Sequence, residues 1–180
     1  KRLREQAKRG IVIPKAEMVQ KVRAACEARE DPDFTIIARC DALAVTGMED
    51  ALDRGRAYIA AGADVLFIES PRTLVEIETI GKAFDFPLLF NMSTSGKTPF
   101  LSAADLTRLG YRIMILPNFT TLAAMKAVRE VLAEIKRVGS AATLGDRCAT
   151  FAEFMDLAGL PEIQEAERRY GLPEDARTRI

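Results

Sequence analysis

The chain has 180 residues, with 26 Lys and Arg balanced by 26 Asp and Glu, no His, and 48% apolar residues. That length suits one domain, or a large piece of one, with a real buried core, and the composition excludes a disordered chain. Zero formal net charge argues against a nucleic-acid partner, and the lack of His excludes His-based triads and His-ligated zinc.

Pro14 opens a predicted helix over 15–29, with Met18, Val22, Ala25 and Cys26 on one face. Proline in the first helical turn costs no hydrogen bond. Asp31-Pro32-Asp33 turns the chain into a strand over 34–38, apolar and partly β-branched like a strand buried on both faces. The alternation then repeats: a helix over 48–61 stopped by Gly62, a strand over 64–68, a helix over 73–83 and a strand over 87–90. A short helix over 103–109 ends at Gly110, which suits a C′ glycine, and a strand over 111–116 and a long helix over 121–137 follow. Beyond a loop over 139–145 come helices over 150–157 and 161–170, then a polar tail from Gly171. Four tandem βα units predict a parallel sheet covered on both faces. They admit a small open doubly wound sheet or half of an eight-stranded βα barrel.

In either architecture ligands gather at the carboxyl ends of the strands. Arg39, Glu69 and Asn91 are the first polar side chains after their strands and are expected to project into one shared mouth. A guanidinium there can hold a carboxylate bidentately, a carboxylate can accept a proton or orient a water, and an amide and hydroxyls suit an oxygen-rich ligand. The same Arg39 and Glu69 could equally be an ion pair capping the sheet, and Asn91 a turn residue. Gly96-Lys97-Thr98 lacks the first glycine of a phosphate loop. Cys40 reads as a small buried thiol, since no His exists to activate it.

Cys26, Cys40 and Cys148 are widely spaced and form no CxxC pair, so neither a disulfide framework nor a zinc knuckle is indicated, and a reducing, cytoplasmic setting is expected. No apolar run approaches the ~20 residues needed to span a bilayer, so no membrane association is expected. The basic string Lys1-Arg2-Leu3-Arg4 has no apolar stretch behind it and is not expected to be a secretory signal. The lack of an initiator Met suggests that the chain begins partway through something longer.

Four motifs carry a resemblance. Ile36-Ile37-Ala38-Arg39-Cys40-Asp41-Ala42, Ala61-Gly62-Ala63-Asp64-Val65-Leu66-Phe67-Ile68-Glu69, Asn91-Met92-Ser93 with Gly96-Lys97-Thr98-Pro99, and Leu109-Gly110-Tyr111-Arg112-Ile113 stand in this order. Together they resemble the isocitrate lyase/phosphoenolpyruvate mutase superfamily over roughly residues 14–170, most nearly its methylisocitrate lyase, 2,3-dimethylmalate lyase and carboxyphosphonoenolpyruvate mutase group. The resemblance implies a parallel (β/α) barrel of TIM type. This chain would supply about strands five to eight, with residues 1–138 the second half of the barrel and 139–180 a helical segment packing on a neighbouring subunit of a homo-oligomer, dimer or tetramer. It also implies Mg2+, with its ligands in an N-terminal half absent from this chain. The substrate implied is a small carboxylate, a 2-hydroxy or 2-oxo acid whose C–C or C–P bond is cleaved or formed through a pyruvate enolate. By position, Arg39 resembles the substrate-carboxylate arginine, Glu69 the carboxylate of the active-site network, and Asn91, Met92 and Ser93 the substrate-contacting segment.

Two departures bear on function. The family's mobile loop reads Lys-[Lys/Arg]-Cys-Gly-His, whereas here Lys1-Arg2 is followed by Leu3-Arg4-Glu5. Leu122 and Phe151 stand where methylisocitrate lyases carry arginines, which favours a smaller, less charged substrate than a tricarboxylate. Half a barrel would also leave two sheet edges and many apolar strand side chains uncovered, so the isolated chain is not expected to work as a monomer. The competing expectations are a truncated or diverged non-catalytic homologue serving in assembly or ligand binding, and an open flavodoxin-like sheet.

Overall fold

The computed structural model describes residues 12–94 and 98–176; the string Lys1-Arg2-Leu3-Arg4-Glu5 and the pair Gly96-Lys97 lie outside the described residues. The chain divides into two compact units, Lys1–Thr120 and Thr121–Ile180.

The first unit holds α1 (Lys15–Ala28), β1 (Ile37–Cys40), a 3-10 turn (Ala42–Ala44), α2 (Met48–Ala60), β2 (Val65–Ile68), α3 (Leu74–Ala83), β3 (Leu88–Asn91), α4 (Ala103–Arg108) and β4 (Tyr111–Ile115). The strands form one wholly parallel sheet in the order β1-β2-β3-β4. Each βα unit therefore adds at the same edge, with no reversal of strand order. A doubly wound sheet needs such a switch point, whereas a barrel is wound in one direction.

Single winding also decides where the helices lie. Right-handed crossovers advancing one way place the crossover helices α2, α3 and α4 on the same side of the sheet. Val22 of α1, Ala51 and Tyr58 of α2, Ile77 and Ile80 of α3 and Leu106 of α4 share one core with Ala38, Cys40, Leu66, Ile68, Leu88 and Phe90. The alternate strand residues Val65, Phe67 and Leu89, with Ile113, form a separate small cluster that includes no helical residue. Side chains alternate between faces along a strand, so this second cluster marks the opposite face. Against the expectation of a sheet covered on both faces, α1–α4 cover only one of them within the first unit.

Local chemistry fixes the element ends. α3 and α4 open with capping boxes, Thr73 with Glu76 and Ser102 with Asp105. Gly81 of α3 lets the α4–β4 turn approach, since a Cβ there would sit 1.8 Å from the Leu109 carbonyl oxygen. The Tyr111 hydroxyl donates to the Ile77 carbonyl at 3.1 Å, and its ring meets Phe90 edge-on at 5.4 Å.

β1 starts three residues later than the expected strand over 34–38. Phe34 closes the Asp31 turn by donating its N–H to the Asp31 carbonyl, and the Ile36 N–H is claimed by the Asp64 carboxylate at 2.8 Å. Ladder pairing then begins at Ile37 opposite Val65. Arg39 consequently lies within β1, and Asn91 is the last residue of β3, whereas Glu69 directly follows β2.

Most of α5 (Phe119–Val138) belongs to the second unit, followed by α6 (Phe151–Leu157) and α7 (Leu160–Arg169). Within that unit the loop after α5 is tied back by Thr143 donating to Glu134 and by an Arg147–Glu130 ion pair at 3.5 Å. Leu122, Met125, Leu132 and Ile135 of α5 and Phe151, Phe154 and Leu157 of α6 are exposed. No helix among the described residues is long and apolar enough to cross a membrane.

Candidate active site

The sheet face opposite the core shared with α1–α4 changes character along the strands. Its lower part is apolar, with Val65, Phe67, Leu89 and Ile113. Its carboxyl end is polar. Arg39 pairs in register with Phe67 and Cys40 with Ile68, so Asp41 and Glu69 directly follow the paired strands, and Asp41 reaches back to the Arg39 guanidinium. Leu89 and Asn91 continue the same face on β3.

Glu69 is the centre of the group. Its side chain is only 15% exposed, against 51% for Arg39. Ser70 Oγ donates to Glu69 Oε1 at 2.9 Å, and Asn91 Nδ2 lies 3.4 and 3.3 Å from Oε1 and Oε2. Arg39 Nη1 stands 3.7 Å from Oε2, close enough for charge attraction without a short hydrogen bond. A carboxylate only accepts, so the Asn91 amide must turn its NH2 toward Glu69. That orientation leaves the buried Asn91 Oδ1 without a hydrogen-bond partner.

Arg39 is held on three sides. Its Nε and Nη2 donate to Asp41 at 3.0 and 2.7 Å, its guanidinium carbon lies 5.2 Å over the Phe67 ring, and its Nη1 faces Glu69. The Asp41 hydrogen bonds, with the Glu69 charge behind them, push the Arg39 pKa above its already high ordinary value against the opposing effect of burial. Arg39, Asp41 and Glu69 together carry one formal negative charge.

Backbone strain falls at the same rim. The two non-glycine residues with left-handed backbone among the described residues are Ser70, at φ 62° just after β2, and Asn118, at φ 69° just after β4.

The structure therefore brings Arg39, Glu69 and Asn91 together, as their placement at strand ends predicts. Met92 departs from that expectation. Its side chain is buried in the core on the helical face and its N–H donates to the Ile115 carbonyl, because the alternation that points Asn91 into the mouth points Met92 away. Ser93 is half-buried, and its N–H donates to the Asn91 carbonyl at 3.0 Å. Cys40 also faces the helices, and burial pushes its thiol pKa up. Sequence reasoning missed Asp41, Ser70 and Phe67. Asp41 was available from the i, i+2 spacing to Arg39, and Phe67 from its i, i+2 spacing to Glu69.

Among the described residues no three His, Cys, Asp or Glu side chains group to hold a metal ion. These residues do not by themselves form a magnesium centre. What they can do is bind an anionic, oxygen-rich ligand through the free edge of Arg39 and exchange a proton with it at Glu69.

Comparison with known proteins gives the family of the chain. The chain is 42% identical over 159 residues to the 2,3-dimethylmalate lyase of Eubacterium barkeri, covering 88% of this chain and 55% of that protein. It is 37% identical over 156 residues to the 2-methylisocitrate lyase of Aeropyrum pernix, covering 87% and 50%. Its structure matches the trigonal crystal form of a 2,3-dimethylmalate lyase with a TM-score of 0.81 at 31% identity, over 94% of this chain and 57% of that one. It matches phosphonopyruvate hydrolase, solved with oxalate and Mg2+, with a TM-score of 0.77 at 34% identity, over 88% and 57%. The chain thus spans about half the length of the curated relatives it matches. Residues 2–136 match the sequence model described as phosphoenolpyruvate phosphomutase, and the chain belongs to that family, within the isocitrate lyase/phosphoenolpyruvate mutase superfamily.

Proposed function

We propose that the intact protein is a carbon–carbon lyase acting on a small 2-hydroxy dicarboxylic acid of the 2,3-dimethylmalate kind. The observation that carries this reading is the convergence of Arg39, Glu69 and Asn91 at one mouth, with Glu69 nearly buried and hydrogen-bonded by Asn91 and Ser70. Similarity to 2,3-dimethylmalate lyase supports it, as do Leu122 and Phe151, which offer no charge to a third carboxylate.

In this reading Arg39 holds a substrate carboxylate, and Asn91 with Ser93 meets its other oxygens. Glu69 takes the proton of the 2-hydroxyl. As that oxygen becomes the ketone of pyruvate, the C2–C3 bond breaks and its electron pair stays on C3, which a proton then converts to propionate. A pyruvate enolate would arise only for a C–P substrate, where the pair of the broken bond remains on the pyruvate carbon.

The chain supplies about strands five to eight of a (β/α)8 barrel through residue 138, and residues 139–180 pack on a neighbouring subunit of a cytoplasmic homo-oligomer. Mg2+ is the proposed cofactor, held by residues beyond those described. The phosphonopyruvate hydrolase solved with Mg2+ supports that choice. When bound, the metal would stabilise developing negative charge on oxygen.

The test is a Mg2+-dependent assay of the intact protein with 2,3-dimethylmalate, oxaloacetate and phosphonopyruvate. Pyruvate and propionate from dimethylmalate are the expected products. Turnover of phosphonopyruvate alone would move the protein to the C–P branch, and no turnover of any of the three would overturn the reading.

A further inference from the structure

We propose that Asp41 is a positioning residue that presents Arg39 to the ligand, an inference that rests on the functional reading above. A guanidinium offers two bidentate edges, the Nε/Nη2 side and the Nη1/Nη2 end. Asp41 occupies the side edge, with Nε donating to Oδ2 at 3.0 Å and Nη2 to Oδ1 at 2.7 Å. Phe67, across the β1–β2 ladder, places its ring 5.2 Å from the guanidinium carbon. The end edge is what remains for a carboxylate arriving in the mouth.

Asp41 also competes with Glu69 for the cation. Glu69 Oε2 stands 3.7 Å from Nη1, and its other hydrogen-bond donors, Asn91 and Ser70, are neutral. Without the Asp41 clamp only the Phe67 ring, which bonds to neither edge of the guanidinium, is left to hold it back from a direct pair with Glu69. That pair would use up the ligand-binding edge and the proton acceptor together. Spacing builds the arrangement, since residues 39 and 41 share a face and Asp41 adjoins the turn Ala42–Ala44 that fixes the chain leaving β1.

The test measures oxalate binding by calorimetry, in Mg2+ buffer, with the intact wild-type protein, Asp41→Asn, Arg39→Lys and the double variant. Asp41→Asn is expected to weaken oxalate roughly tenfold, the scale of one charge-assisted hydrogen bond. In the Arg39→Lys background it should have no further effect, because its influence passes through the guanidinium. The Arg39 Nε–H resonance should exchange slowly with water in the wild type and rapidly in Asp41→Asn, which reports loss of the clamp, while the double-variant comparison of oxalate binding separates positioning from a merely structural role. Unchanged oxalate affinity in Asp41→Asn, or the same loss in both backgrounds, would overturn this inference while the functional reading stands. A wild type that binds neither oxalate nor 2,3-dimethylmalate would overturn both.

Discussion

Arg39 of β1 lies directly opposite Phe67 of β2, and its guanidinium carbon stands 5.2 Å over the phenyl ring. The ring belongs to the small apolar cluster on the face opposite the core shared with α1–α4, so this one contact marks where that face turns from apolar to polar. An arginine over a ring face keeps the hydrogen-bonding edges of its guanidinium free. Asp41 takes one edge, and the other points toward Glu69.

Arg39→Ala should lower kcat/KM for a dicarboxylate at least about 100-fold, since a charge-assisted bidentate contact is lost. The side chain is half-exposed, so the fold should survive. Steady-state kinetics beside a thermal melt check both halves. Retained activity would remove the assigned role.

The Asp64 carboxylate accepts from the Ile36 N–H at 2.8 Å and from Arg29 Nη1 at 2.6 Å, and these bonds hold its pKa below the usual carboxylate value. A lowered folded-state pKa stabilises the fold above the unfolded value of ~3.9, and that contribution is lost as pH falls through the folded-state value. Asp64→Asn should therefore destabilise the protein at neutral pH, and the gap to wild type should narrow steadily in acid below about pH 4. Urea unfolding across that range measures it. A gap that does not depend on pH would show the charge to be irrelevant.

Gly81→Ala should cost on the order of 3 kcal/mol or more, because the new methyl would meet the Leu109 carbonyl oxygen at 1.8 Å, a backbone atom that cannot step aside. Gly55→Ala in α2 meets only the side chains of Leu66 and Phe84, at 2.8 Å each. It should cost less, since side chains can shift and alanine favours the helix by ~1 kcal/mol. Chemical denaturation of both variants ranks them, and the reverse order would refute the packing account.

Thiol chemistry separates the cysteines. Cys148 is exposed, whereas Cys40 is buried in the helical core with its pKa pushed up by desolvation. A thiol reagent should label Cys148 quickly and Cys40 only under denaturing conditions. Rapid labelling of Cys40 in the folded protein would contradict its place in the core.

Much of this was legible in the sequence. The βα alternation placed the helices and strands, because Gly62 and Gly110 end their helices and short apolar runs sit between them. The convergence of Arg39, Glu69 and Asn91 followed from their position at strand ends. What stayed hidden depends on pairing. The start of β1 is decided by Asp64, 28 residues beyond Ile36, and no local propensity encodes that bond. The one-sided placement of the helices follows from strand order, which alternation alone leaves open. Met92 shares a motif with Asn91 yet points to the opposite face, since strand parity separates neighbours in sequence. Asp41 escaped notice because its role lies in its hydrogen bonds to Arg39, although the spacing of two had placed it on the correct face.

Glu69 carries the proposed proton transfer. The direct measurement is pyruvate release from 2,3-dimethylmalate, in Mg2+ buffer, by the intact protein and by its Glu69→Gln variant, which keeps the shape of the side chain and removes its basicity. Wild-type turnover is expected, with kcat falling by about 100-fold or more in the variant and KM little changed, the scale of a lost general base. A variant that turns over as fast as the wild type would contradict the role given to Glu69, and a wild type that releases no pyruvate would contradict the lyase itself.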